Sequence, residues 1–159
     1  MKDNDNNTML LKAEFAGDAE VLQAKAEHYL VCFHDGCERH AQCLRWVVGL
    51  YNNDNEVAKF AINPRCRDVQ NGHCPLFRSC EKTVMKRGLT HFYEGMTGKQ
   101  ERQIRQLLIA RFNRKTYYQI RNGKRLIAPD EQHDIEALCR KCGWTGPFVY
   151  DGETEDYVW

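Results

Sequence analysis

Eight cysteines and six histidines are the residues of this chain with the most evident chemistry, and most of them crowd into two short stretches. The first reads Cys32-Phe-His34-Asp-Gly-Cys37-Glu-Arg-His40-Ala-Gln-Cys43. The second reads Cys66-Arg-Asp-Val-Gln-Asn-Gly-His73-Cys74-Pro-Leu-Phe-Arg-Ser-Cys80. Thiols and imidazoles at this density are ligands for a borderline or soft cation. Zinc takes four of them in a tetrahedron, commonly from two loops or from a loop and a helix end. Structural disulfides are rare in a reduced compartment, so metal thiolates account for the cysteines better than a disulfide framework does. Zinc is the default and an iron–sulfur cluster the rival: four thiolates suit either, and Pro75 follows Cys74 as a proline often follows a cluster cysteine. The spacing Cys-x4-Cys-x5-Cys is not a common zinc-finger pattern. His34, His40 and His73 are available as substitute ligands, whereas His28, His91 and His133 read as surface or packing residues. Arg39, Arg45 and Arg67 stand near enough in sequence to compensate thiolate charge.

A third cysteine pair, Cys139-Arg-Lys-Cys142, has the form of a zinc knuckle, but a zinc ribbon needs two. Cys139 also falls on the inward stripe of an expected helix, where a buried thiol is the plain expectation. A redox pair usually opens a helix, where the dipole lowers a thiol pKa, and this one closes a helix. No enzyme is expected. The chain has no phosphate-cradling glycine loop, no Gly-x-Ser-x-Gly elbow and no His-Glu-x-x-His. Asp130, Glu131, His133 and Asp134 follow Pro129, which makes the acids first-turn residues of a helix.

Charge points to a second kind of site. The net charge of +1 conceals a block of twelve Lys and Arg against Glu94 and Glu101 over residues 82–125, followed by an excess of acids over 126–159. A block this basic attracts a polyanion even in a neutral chain, unless the acidic stretch folds onto it. Within it, Arg114-Lys-Thr-Tyr-Tyr-Gln-Ile-Arg121-Asn-Gly-Lys-Arg125 has the make-up of a DNA-reading helix. Arg and Gln reach guanine and adenine edges, and Lys, Thr and Tyr suit phosphates. The candidate nucleic-acid contacts are Arg111, Arg114, Lys115, Tyr118, Gln119, Arg121, Lys124 and Arg125. The string from Ala110 to Tyr118 resembles the turn and recognition helix of repressor and transposase helix-turn-helix domains, with a turn about two residues short and Asn113 where Gly is usual.

These residues need elements to position them. Residues 1–8 are expected to be disordered. Asp18 is placed to cap a helix running to about Leu30. Leu44, Val47, Val48 and Tyr51 give the next helix its apolar face, Asn52 to Asn55 a polar turn, and Val57 to Ile62 a short strand. A helix from about Ser79 to Tyr93 would face Val84, Met85, Gly88 and Phe92 inward. Thr97-Gly-Lys-Gln100 is a capping box that opens a helix with Ile104, Leu107 and Leu108 inside. A break at Phe112-Asn113 leads to a helix closed by Gly123, and Pro129 opens the last helix at its first position. The aromatic, acidic tail from Phe148 to Trp159 suggests a hairpin and, with the basic face, a surface for a protein partner. The longest apolar runs are four or five residues, too short for a membrane helix, so no membrane partner is expected. The first residues lack a secretory pattern, and the expected location is the cytoplasm.

Cys32-Phe33, Cys37, Cys43-Leu44-Arg45, Asn63-Pro64, Cys74-Pro75-Leu76-Phe77, Tyr117-Tyr118, Pro129 with Gln132 and Ile135, and Glu155-Asp-Tyr157-Val-Trp159 occur in one order. In that order they resemble a family of small, uncharacterised, cysteine-rich bacterial proteins classed as a domain of unknown function. The resemblance implies no activity. It does imply that Cys32, Cys37, Cys43 and Cys74 belong together as the ligands of one metal site, with Cys66, Cys80, Cys139 and Cys142 outside it. The expected fold is mainly α, an α+β arrangement with a short strand and a C-terminal hairpin. It forms one domain over 9–159, with a cysteine-rich metal-binding half (9–96) and a basic, helix-turn-helix-like half (97–159). The expected function is a zinc-stabilised, DNA-binding regulatory protein. The alternatives are a protein-interaction module or an iron–sulfur redox sensor.

Overall fold

A computed structural model describes residues 9, 10, 12–52 and 55–159. The disorder expected over 1–8 lies outside the described residues, as do Asn53 and Asp54 of the expected polar turn. The chain divides into two compact units, residues 1–81 with Trp159, and Lys82–Val158. This boundary falls ahead of the expected one at 96/97, because residues 83–87 pair with the end of the chain. The fold is α+β with most of its regular structure helical. Among the described residues no helix is long and apolar enough to cross a membrane.

In the first unit α1 (Ala19–Ala26) follows a 3₁₀ turn at Ala16–Asp18 and buries Leu22 and Ala26. Their four-residue spacing puts them on one face. Asp18 sits at the N-cap position but makes no side-chain capping bond, and the helix stops short of Leu30. The chain leaves the helix because Val31 forms an isolated parallel bridge with Ala61, where the Ile62 N–H donates to the Val31 carbonyl at 2.9 Å. Among the described residues that bridge is all the pairing the expected strand over 57–62 achieves, and Val57 and Phe60 face solvent. Helix α2 (Leu44–Gly49) is buried at every residue. Gly49 permits a close backbone approach, since a Cβ there would lie 2.7 Å from the Cys32 carbonyl oxygen. A short α3 (Arg67–Gln70) buries Val69.

The second unit opens on a strand where a helix is expected. Thr83–Arg87 forms β1, paired antiparallel with β2 (Gly152–Asp156) in the register Met85↔Thr154 and Lys86↔Glu153. Val84, Met85, Gly88 and Phe92 fit a helical period. In the strand Met85 points inward and Val84 outward, and Gly88 (φ 72°) ends the strand at a conformation costly for other residues. The tail accordingly supplies the partner of β1 rather than a hairpin of its own. Helix α4 (Gly98–Phe112) begins at the expected capping box: the Gln100 N–H donates to Thr97 Oγ1 (3.3 Å) and the Thr97 N–H to Gln100 Oε1 (3.0 Å). It buries Ile104, Leu108 and Phe112 and leaves Leu107 partly exposed, contrary to its expected inward position.

Asn113 alone links α4 to α5 (Arg114–Arg121). It adopts φ 62° and accepts the Thr116 N–H on its side-chain oxygen at 3.0 Å. Gly123 (φ 68°) follows the helix end, and α6 (Pro129–Lys141) starts with proline at its first position. Ile104, Leu108, Phe112, Tyr117, Ile120, Ile127, Ile135 and Cys139 close one apolar core with Leu89, Phe92 and Tyr93. Inside it the Tyr93 and Tyr117 hydroxyls meet at 3.1 Å, which satisfies two polar groups that burial would otherwise strand.

Candidate metal centre

Loop 32–43 winds in steps of three. The Cys37 N–H donates to the His34 carbonyl (3.2 Å), the His40 N–H to the Cys37 carbonyl (3.1 Å) and the Cys43 N–H to the His40 carbonyl (3.0 Å). Such i+3 to i bonds close successive turns, of which only the last is a 3₁₀ helix (His40–Gln42). The residues at the turn junctions are His34, Cys37, His40 and Cys43, each a metal-ligand type. A second stretch of chain is tied alongside. Cys43 bridges Ser79, the Leu44 N–H donates to the Arg78 carbonyl at 2.7 Å, and the Cys80 N–H donates to the Gln42 carbonyl at 3.1 Å. Buried Arg45 fixes the flanks: its Nε donates to the Leu76 carbonyl (2.7 Å) and its Nη1 to the Leu30 carbonyl (2.9 Å).

The result is a small cavity onto which Cys32, Cys37, Cys43 and Cys74 all open, together with His34 and His40. Trp46, Ile62, Val69 and Phe77 supply apolar wall. About 20 Å³ is open to the centre of a water-sized particle, which is room for one ion or one water and none for an organic ligand. Cys32 and Cys43 are buried, Cys37 and Cys74 half-buried. Burial pushes the Cys32 thiol up. A backbone hydrogen bond at His34 pulls it the other way, and the sulfurs of Cys43, Cys37 and Cys74 each push it further up. The donor set suits a thiophilic cation. Among the described residues, however, no three His, Cys, Asp or Glu side chains stand close enough together to hold an ion as they are.

The four cysteines grouped by the family resemblance are therefore gathered on one cavity, and a match to a family model extends over residues 11–159. The chain belongs to the DUF6078 family, a family of unknown function. Comparison with curated proteins and comparison with solved structures gave no match.

The other cysteines of this DUF6078 protein lie elsewhere. Cys66 is exposed at the start of α3, and Cys80 directs its sulfur at the Ala41 carbonyl, 3.5 Å away. Cys139 is wholly buried in the core of the second unit with Cys142 packed beside it, and burial, then the neighbouring Cys142 sulfur, push its thiol up to about 12. Of the arginines expected to compensate thiolates, Arg39 lines the cavity with its guanidinium 3.5 Å from the Phe77 ring centre. Arg45 is engaged with carbonyls and Arg67 is exposed. His73 is exposed and does not line the cavity. The three-residue period of His34, Cys37, His40 and Cys43 is present in the sequence, but a pattern of paired cysteine knuckles does not bring it out.

The basic residues of the DUF6078 protein are placed unevenly. Arg111 pairs with Asp134 (2.8 Å) and Arg125 with Glu131 (2.7 Å), so both guanidinium groups are met by acids of α6. Lys86 pairs with Glu153 across the sheet. In this way the acidic stretch answers part of the basic block. Gln119 is half-buried, and its carbonyl accepts the N–H groups of Lys124 and Arg125 at the helix end. Half-buried Arg121 receives the Leu89 N–H on its carbonyl, and Tyr118 stands partly exposed, edge-on to Tyr117. Arg114, Lys115 and Lys124 are exposed and form no ion pair among the described residues. The single-residue link at Asn113 is shorter than the three- to four-residue turn of a helix-turn-helix. The aromatics of the tail are largely engaged in packing. Phe148 stacks on Phe92, Tyr157 is buried, and the Trp159 ring meets Tyr29 at 5.6 Å.

Proposed function

We propose that this DUF6078 protein is a zinc-stabilised DNA-binding protein of the regulatory kind, in which one ion ties together the two cysteine-rich loops of the first unit. The observation that carries the metal is the small cavity shared by Cys32, Cys37, Cys43 and Cys74. Bound there, the ion supplies a crosslink between loops and no reaction chemistry. The loops draw their side chains in on binding, as expected of donors that share a cavity without touching. The ligands must be reduced thiols, so a reducing compartment such as the cytoplasm is part of the proposal. Elemental analysis of the full chain purified without added metal tests it. About one zinc per chain is expected, and its removal by a chelator should lower the melting temperature. An iron-containing, coloured protein would favour the cluster alternative. An apo chain with an unchanged cooperative melt refutes the metal.

The DNA half of the proposal is supported by Arg114, Lys115 and Lys124, exposed cations with no acidic partner among the described residues. A titration with duplex DNA at several salt concentrations tests it. Each phosphate neutralised by a side chain adds roughly 0.9 to the steepness of log affinity against log salt. The Arg114→Ala, Lys115→Ala double variant should therefore flatten that slope by roughly 1.8. Binding that is absent, or indifferent to salt and to these substitutions, removes DNA from the proposal and leaves the metal site standing.

A further inference from the structure

We infer that His40 is itself a ligand of the proposed ion, through Nε2, so that the centre is built from three thiolates and one imidazole; this rests on the metal reading above. His40 Nδ1 lies 2.6 Å from the Cys37 carbonyl oxygen. A carbonyl only accepts, so Nδ1 carries the proton and the lone pair of the neutral ring is on Nε2. Metal-bound histidines carry this kind of second hydrogen bond, which fixes the tautomer, orients the ring and raises the basicity of the ligating nitrogen.

The ring is held a second time. It sits edge-on to Trp46 with centroids 4.5 Å apart, and Trp46 is anchored by its Nε1 donating to Asp35 Oδ1 at 2.9 Å. His40 lines the same cavity as the four thiols and stands three residues from both Cys37 and Cys43. His34 lines the cavity without that anchoring. Its ring folds back over Gly36, where a Cβ would lie 3.4 Å from Cε1, and no hydrogen bond holds its ring nitrogens among the described residues. With four thiols and His40 there are five donors for the four positions of a zinc tetrahedron; Cys74 must be a ligand for the ion to join the two loops, so one of Cys32, Cys37 and Cys43 stays outside.

The test uses the full chain loaded with zinc or, as a spectroscopic probe, with cobalt(II) alone. Three thiolates and a nitrogen give cobalt a weaker charge-transfer absorption, and d–d bands at higher energy, than four thiolates do. The expected result is this mixed spectrum, with one of Cys32, Cys37 and Cys43 remaining open to iodoacetamide in the zinc-loaded chain. His40→Gln should weaken zinc binding by more than about 100-fold, beyond the range for an outer-shell partner, while His34→Gln leaves it within about twofold. Four protected thiols and a cobalt spectrum unchanged by His40→Gln overturn the assignment while leaving a four-thiolate site intact. Failure of the unmodified chain to take up either metal removes both. Should His40→Gln not fold, ¹⁵N correlation spectra of the wild-type imidazoles decide. Zinc must shift His40 Nε2 and leave Nδ1 protonated, and a ring indifferent to zinc refutes the role.

Discussion

Replacing Gly88 by alanine separates two penalties that usually arrive together. Gly88 has φ 72°, and a Cβ on it would lie 2.1 Å from Asp151 Oδ2 and 2.6 Å from Asp151 Cγ. A carboxylate at the end of a free side chain would swing aside, but this one is pinned. Its two oxygens accept the Thr90 N–H at 3.0 Å each, Oδ2 accepts the Thr90 hydroxyl at 2.7 Å, and Oδ1 accepts the His91 N–H at 3.0 Å. The left-handed conformation costs alanine about 1 kcal/mol. Evicting Asp151 takes an acceptor from three donors. At roughly 0.5–1 kcal/mol each, the low end because the site is exposed, that is about 2 kcal/mol more. Gly143→Ala carries only the first penalty, since Gly143 has φ 79° and its nearest neighbour is Gln100 Nε2 at 4.0 Å. Urea unfolding at neutral pH should thus report losses of about 3 and about 1 kcal/mol, with unchanged slopes. In an Asp151→Gly background, which also removes the Asp151 Cβ that would lie 2.8 Å away, the cost of Gly88→Ala should fall to about 1 kcal/mol, a coupling of about 2 kcal/mol. Equal losses for the two glycines, or a Gly88 penalty that survives removal of the whole Asp151 side chain, would refute this account of the turn.

Asp151 also predicts an acid response. Burial raises its carboxyl, but bonds from His91 and Thr90 outweigh that and hold it below the ordinary value. Its contribution is therefore complete above about pH 4 and is lost as pH falls through the depressed value. Asp151→Asn should flatten the stability profile in that window, and an NMR titration of the carboxyl carbon checks the direction. Asn113→Ala should destabilise by about 2 kcal/mol, because it loses both the cap on Thr116 and tolerance of φ 62°, whereas Asn113→Gly keeps the conformation and should cost only a few tenths. Cys139→Ser places a hydroxyl without a partner in an apolar core and should cost about 1–3 kcal/mol, while Cys66→Ser on the surface should stay within about 0.5 kcal/mol in the same denaturation assay.

What could be read from the sequence is what neighbouring residues decide. The Thr97–Gln100 box, the break at Asn113 and Pro129 at a first helical position each act within one turn of helix, and each appears where its residues place it. Residues 83–87 show the opposite case. Their apolar spacing is compatible with a helix, and only pairing with Gly152–Asp156, far along the chain, selects the strand. The cysteine loops divide in the same way. The three-residue row from His34 to Cys43 is a local pattern, visible on counting by three. That Cys74 joins the row depends on the Cys43–Ser79 bridge and on Arg45 reaching Leu76 and Leu30, contacts that no window of neighbouring residues contains.

The two units differ in how much they can supply to their own stability. The second has helices of 15, 8 and 13 residues around a continuous apolar core and a paired sheet. Among the described residues the first has helices of 8, 6 and 4 residues, besides helical residues at 9–10 and 12–14. Helices this short are marginal alone in water, so they depend on what they pack against. Here much of that partner is loop, held by two isolated bridges and the hydrogen bonds of Arg45. Small units with little regular structure commonly need a staple such as a disulfide or a metal. No disulfide is formed, and all eight cysteines are free. A cation drawn to the cavity that Cys32, Cys37, Cys43 and Cys74 share would join both loops. The effect of such a crosslink is expected in folding rather than in reaction chemistry.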